Sequence, residues 1–262
     1  MKQPIFILLI FNILFSCNNN NASTLENSKN KKSGYEFTIE FVVDNNTFPD
    51  SWKTSEINAK GSSLDSSEYE RSMKIIQKAL QKYPVEVLNE NIKKIYILKS
   101  MEFYGLLFGG TNSNDIVYIV NSGIDNGYSD KFVEQTFHHE FSSILLRNNR
   151  HLFPEKDWSK FNKLPYGEGG VYALKNNIDN INLDTNIMKQ GFLCQYAMSD
   201  IENDFNTFAE NLFCPNENFR LYTRQYPEIN NKLNIFIKFY SQINDTFTKD
   251  FFETFSINNE EK

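Results

Sequence analysis

No cluster of basic residues occurs anywhere in this chain, and its formal net charge is -6, which excludes nucleic acid as the expected partner. After the first fifteen residues no segment is apolar enough to cross a membrane. There is no internal repeat, and no linker divides the chain into two folded units. Histidine is scarce, with three in 262 residues, and two of them are adjacent at His138 and His139. Cysteine is equally scarce: Cys17, Cys194 and Cys214.

What is present begins with a short leader. Met1-Lys2 precedes an apolar run from Ile5 to Phe15 that is too short to span a bilayer and has the layout of a secretory signal. Ser16-Cys17 at its end resembles the bacterial lipobox, which implies a signal peptide over residues 1–16, cleavage before Cys17 and lipidation of that residue. More than one acyl chain anchors a protein stably. Asn18 follows, with no acidic residue there to suggest retention at the inner membrane, so an outer-membrane lipoprotein is expected. Residues 17–33 are rich in Asn, Ser and Lys and too polar to offset the entropy of ordering, so they read as a tether. With Cys17 lipidated, Cys194 and Cys214 could form one bridge or remain two buried thiols, and spacing does not decide between them.

Residues 34–262 are long enough for one sizeable domain. Tyr35, Phe37, Ile39, Phe41 and Val43 alternate with mostly polar residues, predicting a half-buried strand. Tyr69, Met73, Ile76, Leu80 and Tyr83 recur at helical spacing up to Pro84. Ile92 to Leu98, Tyr104 to Phe108 and Ile116 to Val120 predict further strands, with Gly109 to Asn114 as a turn. Asn148 to Asn186 is loop-rich, and a stretch of that length is usually functional or mobile. Phe205, Phe208, Ala209 and Leu212 predict a helix, and Leu233, Phe236, Tyr240 and Ile243 a final one after Pro227. The order is α+β, with a mostly sequential sheet.

The chemistry concentrates in Phe137-His138-His139-Glu140-Phe141-Ser142-Ser143. On a helix, Val133, Phe137, Phe141 and Ile144 form one apolar stripe, while Phe132, Gln135, His139, Ser143 and Leu146 lie opposite, so both faces should be covered. His139-Glu140-x-x-Ser143 has the outline of H-E-x-x-H, in which histidines at i and i+4 bind zinc and the glutamate activates the bound water. Ser143 takes the second histidine's place, and a neutral hydroxyl is a much weaker zinc ligand than imidazole. His138 points roughly 100° away and does not substitute for it. It reads as an ordinary residue hydrogen-bonded to carbonyls, and His151 as a solvated one. Glu140 is seldom buried without a partner, and in the absence of metal Tyr196 or Tyr172 would supply one.

Two segments, Thr136-Phe-His-His-Glu-Phe-Ser-Ser-Ile-Leu-Leu146 and Gly191-Phe-Leu-Cys-Gln-Tyr-Ala-Met through Phe213, resemble the gluzincin-type zinc-binding metallopeptidase lipoproteins. The stretch from Leu80 to Gly110 is similar to the section that precedes the active helix in that family. The resemblance implies a zincin-like fold, a mixed sheet packed on a central active-site-type helix followed by a mainly helical C-terminal part. It also implies His139 as first zinc ligand, Glu140 as general base and Ser143 at the second ligand position. The third ligand falls within Glu202-Asn203-Asp204. The closest register puts Asn203 on the family's glutamate, and Glu202 or Asp204 would ligate only after a backbone shift. Glu210 matches a supporting acidic residue.

A catalytic zinc normally has three protein ligands and an open position. Losing even a supporting partner costs about 10- to 100-fold in affinity or activity. The leading expectation is therefore a peptidase fold retained as a binding or scaffolding module, a pseudoenzyme. An active zinc peptidase using Glu140 is the second reading, and a structural part of an outer-membrane complex the third. If peptides bind, Ile116 to Val120 is expected to be the edge strand that receives them. The run Asp200 to Asp204 also reads as an acidic first turn suited to a helix N-terminus.

Overall fold

A computed structural model describes residues 34–216 and 218–257. The expected signal peptide, Cys17 and tether lie outside the described residues. The strands are β1 (Thr38–Glu40), β2 (Lys60–Ser63), β3 (Lys94–Phe103), β4 (Leu106–Phe108), β5 (Gly110–Ser113) and β6 (Ile116–Val120). The helices are α1 (Tyr69–Leu80), α2 (Val85–Asn91), α3 (Asp130–Asn148), α4 (Glu155–Ser159), α5 (Gly170–Lys175), α6 (Thr185–Met188), α7 (Ile201–Phe213), α8 (Phe219–Gln225), α9 (Pro227–Ile243) and α10 (Lys249–Ile257).

β3 is the spine of a mixed sheet. One side of it pairs in parallel with β1 and, further along, antiparallel with β2. It also pairs in parallel with β6 and antiparallel with β4, and β5 closes the sheet antiparallel to β6. The order β1-β3-β6-β5 is thus less sequential than expected. β6 is an inner strand, so the expectation that it lies at an edge is corrected: the sheet edge on that side is β5. Alternation along β3 and β6 divides their side chains between two cores. Ile95, Ile97, Val117 and Ile119 face the helices, while Tyr96, Leu98, Tyr118 and Val120 face Phe48 and Trp52. Both faces are covered, which is why these strands read as nearly continuous apolar runs.

α3 is the central helix the sequence suggested. Ser129 caps it, its side chain accepting from the Phe132 N–H. Phe137, Phe141 and Ile144 are fully buried toward the sheet. Burying each such side chain is worth roughly 1.5 to 3 kcal/mol. The opposite face of α3 packs on α7, and α9 packs behind α7 with Phe205 and Phe236 rings 4.7 Å apart. Pro227 begins α9 at a position where its missing N–H leaves no bond unmade. α9 is not the last helix. α10 follows, inserting Phe252 against Phe213.

Two further differences lie in β2 and β5. Lys-Gly-Ser-Ser carries no apolar signal, yet pairing with β3 makes it a strand. Gly110 to Ser113 looked like a turn, but the turns lie on either side, at Tyr104-Gly105 and Asn114, where φ is positive. Cys194 and Cys214 are both buried free thiols.

Candidate active-site cleft

Asn203, Asn206 and Glu210 fall at i, i+3 and i+7 of α7, one face of that helix, and meet His139 and Ser143 at i and i+4 of α3. Nδ1 of His139 lies 2.5 Å from Oε1 of Glu210, and its Nε2 lies 3.1 Å from Oδ1 of Asn203. The orientation of the Asn203 amide is fixed by its own donors, since Nδ2 gives hydrogen bonds to Ser199 Oγ at 2.9 Å and Asp200 Oδ2 at 2.8 Å. Its oxygen therefore faces the ring and accepts from Nε2, while Nδ1 faces the Glu210 carboxylate. Burial alone would lower the pKa of His139. The hydrogen bond and charge of Glu210, the charge of Glu140 and the Asn203 bond outweigh it and raise the ring to about 9.

Ser143 Oγ accepts from Asn206 Nδ2 at 2.6 Å and is buried in the interface between the two helices. Asp204 does not join His139. One residue on from Asn203, it points about 100° around α7 and is fully buried. Oδ2 of Asp204 accepts from Lys232 at 2.6 Å, Tyr166 at 2.6 Å and Trp158 at 2.8 Å. The expectation of Asp204 as a metal ligand is thus corrected by its ion pair. Glu202 stays on the half-buried first turn, where its charge acts on Glu140. Asp200 caps α7 by accepting from the Asn203 N–H at 2.7 Å, as an acidic first turn predicts.

Glu140 is more than nine-tenths buried. Its partner is neither Tyr196 nor Tyr172 but Asn112 of β5, whose Nδ2 donates to Oε2 at 2.7 Å. Arg147 donates to the oxygen of the same amide. Tyr196 instead stacks near His139, with ring centroids 6.1 Å apart. Burial raises the pKa of Glu140, opposed by the His139 charge and the Asn112 bond. Gly110 permits this approach: a Cβ there would stand 2.5 Å from Thr136 Cγ2 and 2.7 Å from Glu140 Oε1. Gly110 and Asn112 were missed as site residues because their composition reads as a turn.

His138 is a core residue. Tyr83 OH lies 2.9 Å from its Nδ1, so a hydroxyl replaces the expected carbonyl. The other ring nitrogen faces Glu134 at 3.8 Å. His151 is exposed, as expected.

His139, Glu140 and Glu210 line a cleft of about 480 Å³. One wall is the Phe108-Gly109-Gly110 stretch. The other is formed by Leu174, Asn177, Asp179, Asn180 and Ile181, within the loop-rich stretch. The positions that the resemblance gives to three zinc ligands hold an imidazole with both nitrogens engaged, a serine bonded to Asn206, and an asparagine bonded to the imidazole. This donor set does not fit a catalytic zinc, which takes deprotonated nitrogen, sulfur or carboxylate ligands. Among the described residues no group of three or more His, Cys, Asp or Glu is placed to hold a metal ion.

No protein-family profile matches the chain, and no curated protein matches it. A crystal structure from Bacteroides caccae, named provisionally as that of a zinc-binding metallo-peptidase, is similar over 93% of each chain, with a TM-score of 0.54 and 17% sequence identity. That likeness is one of fold: a zincin-like mixed sheet on a central helix, with a helical C-terminal part.

Proposed function

We propose that this chain is a cell-envelope lipoprotein that uses a metallopeptidase-like fold to bind peptide segments, without zinc catalysis. One observation carries the loss of catalysis: both nitrogens of His139 are engaged inside the protein, by Glu210 and Asn203, while Ser143, at the second ligand position, is bonded to Asn206. The leader sequence ending in Ser16-Cys17 supports attachment to the outer membrane through lipid on Cys17.

The edge of β5 supports peptide binding. Val120 N–H bonds to Gly109 O, and the register pairs Thr111 with Tyr118 and Ser113 with Ile116, so Gly110 and Asn112 turn their N–H and C=O groups away from β6. An extended peptide adding to this edge gains backbone bonds worth about 0.5 to 1.5 kcal/mol each. It would run over Glu140.

Elemental analysis of the purified chain after exposure to excess zinc tests the reading. Zinc far below one per chain, with an unfolding temperature that chelator leaves unchanged, is the expected result. Stoichiometric zinc, lost on substitution of His139, would restore the active-peptidase reading with Glu140 as its base.

A further inference from the structure

Peptide binding leaves open what kind of peptide the cleft selects, and its charge answers that. Three carboxylates line it, Glu140, Asp179 and Glu210, against one basic side chain, His139. Glu210 and His139 neutralise each other at 2.5 Å. Glu140 and Asp179 then have no ion pair of their own among the described residues; the His139 charge reaches Glu140 as well, but the charges of Glu202 and Glu210 act against it there. Glu140 is the more demanding of the two, because its carboxylate is more than nine-tenths buried and its hydrogen-bond partner is a neutral amide. A buried charge of this kind is stabilised by an opposite charge brought into the same space. Arg147 does not supply it, since its guanidinium is directed to the Asn112 oxygen.

The walls of the cleft differ from its charged floor. Phe108 and Phe132 on one side and Leu174 and Ile181 on the other give it apolar lining, and Ile181 is exposed.

We infer that the cleft takes an extended peptide bearing a lysine or arginine side chain flanked by bulky apolar residues, with the cation over Glu140 and the apolar residues against the walls formed by Phe108, Phe132, Leu174 and Ile181. The inference rests on the peptide-binding reading above. Backbone pairing with Gly110 and Asn112 places successive ligand side chains alternately toward the cleft and away from it. The cationic residue is the one that points in.

Three pools of capped octapeptides, with uncharged randomised flanks and a central Lys, Gln or Glu, test this by fluorescence polarisation on the soluble chain from residue 34 onward and on its Glu140→Gln and Asp179→Asn variants. The Lys pool should bind at least about tenfold tighter than the Gln pool, and the Glu pool weakest; one tenfold step corresponds to about 1.4 kcal/mol. Glu140→Gln keeps an acceptor for Asn112, so its unfolding temperature should hold while the preference for lysine disappears. Asp179→Asn, on the cleft wall, should weaken the preference partly. Equal binding of all pools overturns the charge selectivity and leaves peptide binding standing. Binding of no pool overturns both.

Discussion

The side-chain oxygen of Asn203 stands 3.1 Å from Nε2 of His139, and the amide that carries it is held in place by Ser199 and Asp200. A side chain from α7 thus occupies the direction in which an imidazole would present its lone pair to a metal. Rebuilding a zinc site would require removing this bond as well as supplying ligands. The double variant Ser143→His, Asn203→Glu should bind zinc more than about 100-fold tighter than the native chain, by competition with a chromophoric chelator. Ser143→His alone should not, because Asn203 still engages His139. Both variants should lose about 1 to 3 kcal/mol of stability, since the new imidazole must fit the space now shared by Ser143 and Asn206.

Gly110 sets the distance between β5 and α3. Gly110→Ala should push the Glu140 carboxylate off the strand, break the Asn112 bond and destabilise the chain by about 1 to 3 kcal/mol in urea unfolding. Its φ is not in the left-handed region, so the effect comes from contact alone. An unchanged midpoint would mean that the strand can move away freely.

Lys232 and Asp204 form a wholly buried ion pair, and Lys232 also donates to the Gly191 carbonyl at 2.6 Å. Lys232→Met strands the Asp204 charge and should cost about 3 to 5 kcal/mol in denaturant unfolding. The double variant Lys232→Met, Asp204→Leu should be less destabilised than either single change.

Glu134 gives an acid-side prediction. Burial would raise its pKa, but the His138 ring, Lys82 and Lys78 hold it well below the usual carboxylate range. A depressed folded-state pKa contributes stability that is present above the unfolded value, about 4.3, and is lost as pH falls below it. Stability should therefore decline between about pH 5 and pH 2. In Glu134→Gln that slope should flatten while stability at pH 7 drops, as thermal unfolding across this range will read.

The helices were legible because their periodicity and punctuation agree. Pro84 separates α1 from α2, Ser129 caps α3, and Pro227 opens α9. The pairing of α3 with the segment carrying Asn203 was also legible, through the resemblance. What failed was local chemistry overridden by distant pairing. Gly110 to Ser113 is strand only because β6 lies beside it, and Lys60 to Ser63 only because of β3. Asp204 was misplaced by a single position, which on a helix turns a side chain from one interface into another. The Asn112 contact to Glu140 joins residues 28 apart, on two elements that no spacing rule connects.

The His139 bridge between α3 and α7 is built wholly from side chains the chain carries itself. On the zinc-free reading proposed above, folding of this domain would need no ion delivered to it. Where zinc is scavenged by competitors, a domain closed by its own side chains would keep its shape.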